Sequence, residues 1–239
     1  MSAKNKSNRK RSRPLEPESA IKKFKKNKSA MLLAIFIVLM MVFGSFYVIF
    51  SGNTDTNSEE MKSYEDDPEY LAALAETDYP VAVLETTKGA IAVELYTDKA
   101  PKTCENFIKL VEDGFYNGMI FHRVMDDFMI QAGNTFPDGT TKESPYGSIS
   151  EFEDALGHVD GSISMASTGA GVPGSAQFFI CDGEQSGLDG SYAAFGKTIY
   201  GIDFVRDIAD EPHDGSYGSV GGGRPNNDII IEKIQIVNK

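Results

Sequence analysis

Residues 121–134 read Phe-His-Arg-Val-Met-Asp-Asp-Phe-Met-Ile-Gln-Ala-Gly-Asn. An arginine, two bulky apolar residues and a glutamine stand close together here: Arg123, Phe128, Met129 and Gln131. On extended strands, residues two apart share a face. Such a surface presents one cation, one amide and an apolar floor together. That combination suits a peptide bearing an apolar ring. It lacks the groups needed for hydrolysis or redox chemistry.

The flanking sequence is dense in strand signals. Val81–Glu85 and Ala90–Tyr96 are β-rich runs separated by Thr-Lys-Gly, which predicts a hairpin. Pro101 suits the first turn of a helix that runs to Asp113, and Gly114 suits its stop. Cys104, Phe107, Ile108, Leu110 and Val111 form one apolar stripe along it. Further strands are expected at Met119–Val124, Phe128–Ala132, Ser162–Ala166, Gln177–Cys181, Ala193–Lys197 and Asp228–Val237, with a second short helix at Ile202–Ala209. Many strands, two helices and Gly-rich connections predict a mainly β fold, a closed barrel with helical ends.

Charge divides the 239 residues sharply. Residues 1–29 carry 11 Lys/Arg against Glu16 and Glu18, residues 30–50 carry no charge, and residues 51–239 carry 12 basic against 33 acidic side chains. An acidic domain does not hold nucleic acid through phosphate contacts, so no nucleic-acid partner is expected. The 21 uncharged residues from Ala30 to Phe50 match a bilayer core of roughly 30 Å at 1.5 Å rise. A cleaved signal peptide is the rival, but its apolar region is usually shorter, about 7–15 residues. The expected organisation is a basic cytoplasmic tail (1–29), a transmembrane signal-anchor (30–50), an acidic tether (51–78) and a folded domain (79–239) outside the cytoplasm. Within the tether, Pro68–Glu76 could form a short helix that packs on the domain or frays.

Several motifs invite other readings. Gly169-Ala-Gly-Val-Pro-Gly174 fits a nucleotide fingerprint, but Pro173 and a following β-run replace the required helix, which predicts a plain loop. Asp182-Gly-Glu-Gln-Ser-Gly187 resembles the start of a calcium loop, yet the twelfth position is Ala193 where a glutamate is needed. His122, His158 and His213 lack ligand spacing, and the last two read as exposed loop residues. Gly221-Gly-Gly223 lacks the Lys-Ser/Thr of a phosphate loop. Neither a metal nor a cofactor is expected. Cys104 and Cys181 read as buried free thiols rather than a bridge.

Three collinear segments then converge: Phe121-His-Arg-Val with Phe128-Met-Ile-Gln, Ile163-Ser-Met-Ala with Gly174-Ser-Ala-Gln-Phe-Phe-Ile, and Leu188-Asp-Gly-Ser-Tyr-Ala-Ala-Phe-Gly-Lys. Ala100-Pro-Lys-Thr-Cys-Glu-Asn-Phe and Tyr200-Gly-Ile-Asp support them. Together they resemble the cyclophilin family of peptidyl-prolyl cis-trans isomerases over roughly residues 80–238. The resemblance implies a closed eight-stranded antiparallel barrel capped by two helices, with a proline pocket on its outer face. It implies that Arg123 is the catalytic donor to the proline nitrogen. Phe128, Met129, Phe179 and Leu188 would hold the ring. Gln131 would orient the substrate carbonyl and the arginine, Ala166 and Ser167 would offer a strand edge to the substrate backbone, and Gln177 would lie beside them. His122 and Tyr192 complete the implied set.

This sequence departs from the family in places. Gly187 stands where tryptophan is common, which weakens any expectation of cyclosporin binding. Ser167 replaces a common asparagine and Tyr192 a common histidine. The loop 169–174, which would border the pocket for residues before the proline, also differs. The implied activity is X-Pro isomerisation in extracytoplasmic folding, by a monomer acting on proline-containing polypeptides. The alternatives are a proline-binding chaperone or scaffold with little turnover, and a structural barrel that works through its basic tail.

Overall fold

A computed structural model describes residues 63–149, 151–152 and 156–237. The expected basic tail, membrane span and first part of the tether lie outside the described residues. Among the described residues no helix is long and apolar enough to cross a membrane.

The predicted hairpin forms from β1 (Val81–Thr86) and β2 (Gly89–Leu95). Their side chains are almost all buried, because helices and other strands cover both faces. Helix α2 (Pro101–Glu112) then crosses one end of the sheet. Its own N-cap, Ala100, offers no side-chain acceptor. Glu151 substitutes from a distant loop, its carboxylate accepting from Thr103 N at 2.8 Å and Thr103 Oγ1 at 2.8 Å. A negative charge there also complements the positive end of the helix dipole. The stripe predicted from sequence is the inward face: Cys104, Phe107 and Leu110 are fully buried.

The remaining strands are β3 (Arg123–Met125), β4 (Met129–Ala132), β5 (Ser162–Met165), β6 (Phe178–Cys181), β7 (Ala193–Tyr200) and β8 (Ile231–Val237). Helix α3 (Ile202–Ala209) follows β7. All pairings are antiparallel, in the order β3-β4-β6-β5-β7-β2-β1-β8. The sheet curls around its main apolar core, in which Phe107, Tyr116, Phe121, Phe178 and Phe195 are all fully buried. Phe107 packs edge-on to Phe178, with ring centroids 5.6 Å apart.

Two expectations require correction. The closed barrel is instead a curled sheet, because β3 and β8 share no ladder. Isolated bridges, Ile120 to Ile230 and Val124 to Gly223, link the segments that flank these edges. The strand expected over Met119–Val124 is correspondingly short. Phe121 N donates to Ile229 O and His122 N to Gln131 O, so this extended stretch divides its hydrogen bonds between two neighbours and completes a ladder with neither. The short helix foreseen within the tether does form. This is α1 (Pro68–Glu76), capped by Asp67, whose carboxylate accepts from Glu69 N at 2.8 Å. It docks rather than frays: Tyr70 is buried between the rings of Tyr64 and Tyr200.

Candidate active site

Strands β3, β4, β6 and β5 lie side by side, and their register assembles one surface. Arg123 pairs with Gln131, Gln131 with Phe179, and Phe179 with Ser164. Arg123, Phe128, Met129, Gln131, Ala166, Ser167, Phe179, Leu188 and Tyr192 line a single open cleft. His122 and Gln177, the other two residues singled out from sequence, do not line it. Gln177 sits behind Gln131, whose Nε2 donates to Gln177 Oε1 at 2.9 Å. His122 is buried and reaches Gln177 in turn.

Tight local structure holds the cleft residues. The β3–β4 turn places Asp127 at φ 54, a left-handed conformation uncommon outside glycine. Asp182 secures it, its carboxylate accepting from Asp127 N at 3.0 Å, and Asp182 N donates to Phe128 O at 3.0 Å. Phe128 is thereby carried to the cleft rim. At the other side, Asn106 Nδ2 of α2 donates to Ser175 O and the Tyr116 hydroxyl to Ala176 O, fixing the entry to β6. Asp126, Asp127 and Asp182 bring carboxylates within 4.8 Å of one another, as a cation site would. Asp182 already serves as the turn's anchor.

Arg123 is the only positive charge lining the cleft among the described residues. Its Nε donates to Gly221 O at 3.2 Å, and its Nη2 to Val220 O and Gly221 O, both at 3.0 Å. Among the described residues Nη1 has no protein acceptor, so its donors stay available. The guanidinium carbon lies 5.9 Å from the Phe128 ring centroid and 5.0 Å from that of Tyr217. Burial lowers its pKa, but a guanidinium in a protein stays charged. Burial, and secondarily the Arg123 charge, push the neighbouring His122 down to about 4, against a weaker opposing effect of the hydrogen bond to Gln177. His122 is therefore neutral at pH 7, and the arginine's charge is not shared.

The carbonyl clamp on Arg123 depends on the glycine run that carries no phosphate-loop signature. Gly221 and Gly222 both adopt positive φ, 79 and 77. A Cβ on Gly222 would stand 2.5 Å from Val124 O. Only glycine lets the chain approach β3 so closely and turn its carbonyls toward the guanidinium.

One expectation about histidine fails. His158 is buried, not exposed, and its ring lies parallel to Phe179 at 5.9 Å. Its Nδ1 and backbone N each stand 2.8 Å from Asp189 Oδ1, and its Nε2 lies 3.1 Å from Ser164 Oγ. These bonds hold Asp189 below the usual carboxylate range. The Asp–His–Ser order resembles a hydrolase relay, but Ser164 is fully buried and no substrate could reach it. The network instead supports the back of Phe179. Sequence reasoning missed His158, Tyr217 and the 220–221 carbonyls. Their signals, a histidine before β5 and one aromatic within a glycine-rich run, are too weak to read alone.

Comparison with known proteins decides the family. The model for cyclophilin-type peptidyl-prolyl cis-trans isomerases matches residues 81–236. The chain belongs to the cyclophilin family. Peptidyl-prolyl cis-trans isomerase 10 of Caenorhabditis elegans is 44% identical to this cyclophilin over 157 residues, covering 64% of this chain and 91% of the relative. Peptidyl-prolyl cis-trans isomerase CYP18-2 of Arabidopsis thaliana is 34% identical over 173 residues, covering 70% of this chain and 100% of its own length. A Cryptosporidium parvum cyclophilin crystallised in the presence of the dipeptide Ala-Pro matches with a TM-score of 0.58 and 33% identity, over 66% of this chain and 99% of that one. The protein is accordingly a peptidyl-prolyl cis-trans isomerase.

Proposed function

We propose that Arg123 catalyses X-Pro rotation by donating a hydrogen bond to the proline nitrogen as the amide twists. Rotation about the peptide bond faces a barrier of ~18–20 kcal/mol, because the planar amide is conjugated. Twisting breaks that conjugation and leaves a lone pair on nitrogen. A cation aimed there stabilises the twisted state more than either planar one, which is what lowers a barrier. The observation that carries this reading is the clamp: two backbone carbonyls hold Nε and Nη2 of the Arg123 guanidinium, which lines the apolar cleft, while Nη1 has no protein acceptor among the described residues. Phe128, Met129, Phe179 and Leu188 hold the ring, Gln131 orients the substrate carbonyl, and Ala166 and Ser167 offer backbone groups to the residues before the proline. Tyr192, edge-on to Phe179 at 5.7 Å, closes one wall. Gln177 and His122 act from behind Gln131.

The cleft favours turnover over tight holding. Burying one proline-sized ring yields roughly 2 kcal/mol, whereas a Kd near 1 μM needs about 8 kcal/mol. A weakly held ring can leave after rotation. The dipeptide Ala-Pro, in whose presence the Cryptosporidium relative was crystallised, is consistent with such a substrate here. The test is NMR exchange on a proline peptide with the full chain and its Arg123→Ala variant. Removing a preorganised donor should lower kcat/KM by about 10²–10³-fold. Equal rates in the two proteins would refute the role.

The same reading places the enzyme, as a monomer, outside the cytoplasm on an anchor formed by residues 30–50. The uncharged run and its basic flank support it. In sealed vesicles with the cytoplasmic face outward, protease should spare residues 51–239 until detergent opens the membrane. Digestion of that segment from the cytoplasmic face would reverse the topology.

A further inference from the structure

We propose that Tyr217 and Val220 form a binding subsite for an apolar or aromatic side chain on the residue that follows the proline. The proposal rests on the proline-pocket reading above. The sheet order β3-β4-β6-β5 puts Ala166 and Ser167, at the end of β5, on one side of the cleft and Arg123, on β3, on the other. Three strand spacings of about 4.8 Å separate these sides. An extended peptide rises about 3.3 Å per residue, so with its ring over Met129 and Phe179, midway across, the residues on either side of the ring run toward the two sides. The β5 side takes the residues before the proline. The residues after it leave past Arg123, toward the segment that the Val124–Gly223 bridge lays along the free edge of β3.

That segment presents apolar groups to solvent. Tyr217 and Val220, at 37% and 64% exposure, are two of five large exposed hydrophobic residues among the described residues. Tyr217 and Phe128 each stack near the same guanidinium, so the apolar wall of the cleft continues beyond Arg123. The groups are also held in place. Asp214 Oδ1 accepts from Ser216 N and Arg224 N, Val220 N donates to Tyr217 O, and the carbonyls of Val220 and Gly221 are tied to Arg123. A preorganised apolar surface loses little on binding. The strongly acidic domain around it disfavours an acidic side chain at the same place.

The test uses the full chain and the peptides Ala-Ala-Pro-Yaa, with Yaa as Phe, Leu, Gly or Asp, followed by exchange spectroscopy and by chemical-shift titration. The parent should prefer Phe and Leu over Gly by about five- to tenfold in kcat/KM, and disfavour Asp. In Tyr217→Ala and in Val220→Ser the Phe-to-Gly ratio should fall toward one, whatever the absolute rates. A ratio near one in the parent, or an equal loss for all peptides with the ratio kept, would overturn the subsite; the latter would mean that Tyr217 only steadies Arg123. Failure of the isomerase mechanism would look different: exchange would be absent for every peptide, while the ratio of dissociation constants would still decide the subsite.

Discussion

Acid should destabilise this domain through one histidine. His122 is buried beside Arg123, with its Nδ1 unpartnered among the described residues, and its pKa lies near 4 against about 6.5 when unfolded. Protonating it in place would put a second cation against Arg123 without water. The folded pKa is the lower one, so between the two values the unfolded chain binds more protons, and stability rises with pH across that window. The contribution is fully present above pH 6.5 and is lost as pH falls toward 4. With these two values the loss relative to pH 7 is about 2 kcal/mol at pH 5 and about 3 kcal/mol at pH 4. For a domain of this size, that corresponds to a fall in Tm of roughly 4–8 °C at pH 5. Many carboxylates titrate over the same range, so the readout is a comparison. Urea unfolding of the parent and of His122→Gln, from pH 7 down to pH 4.5, should show a slope in the parent that the neutral side chain removes. Parallel pH profiles, within about 0.5 kcal/mol, would show that His122 is solvated or protonated in the fold, and the reasoning would fail.

Other outcomes follow from single contacts. Gly222→Ala forces a side chain into a left-handed position against Val124 O. It should lower stability by about 2–3 kcal/mol and, by displacing the clamp, reduce kcat/KM beyond what unfolding explains; urea titration and exchange kinetics at 25 °C measure the two effects separately. Tyr70→Ala removes a buried ring that joins α1 to the sheet, so unfolding should ease by about 2–4 kcal/mol with kcat/KM unchanged, because α1 contributes nothing to the cleft. Cys104 and Cys181 are fully buried free thiols pushed up to about 12 by burial. Neither should react with a thiol reagent at pH 8 until urea is added, and rapid labelling of the native protein would contradict their burial.

Much of the fold is legible locally. The β1–β2 hairpin, the Pro101 start and Gly114 stop of α2, and the short α3 follow from turn residues and periodicity, because each depends on neighbours in the chain. The nine cleft residues are also legible, since the family motifs that carry them are collinear and nearly contiguous. Curling without closure is not legible. It depends on where Val124 meets Gly223, a pairing between segments far apart in sequence. His158 misleads for the same reason. A lone histidine beside Gly157 and Val159 looks like a loop residue, and only the fold brings Asp189, Ser164 and Phe179 around it.

By itself, then, the order of residues determined most of the secondary elements, the family and the chemical character of the cleft, for these need only local propensity and the identity of side chains. Tertiary structure alone decided which way Arg123 faces and what holds it. Its partners are carbonyls, which every residue possesses, so no side-chain pattern marks them in advance. They become a clamp only when two glycines, Gly221 and Gly222, let a distant segment lie against β3.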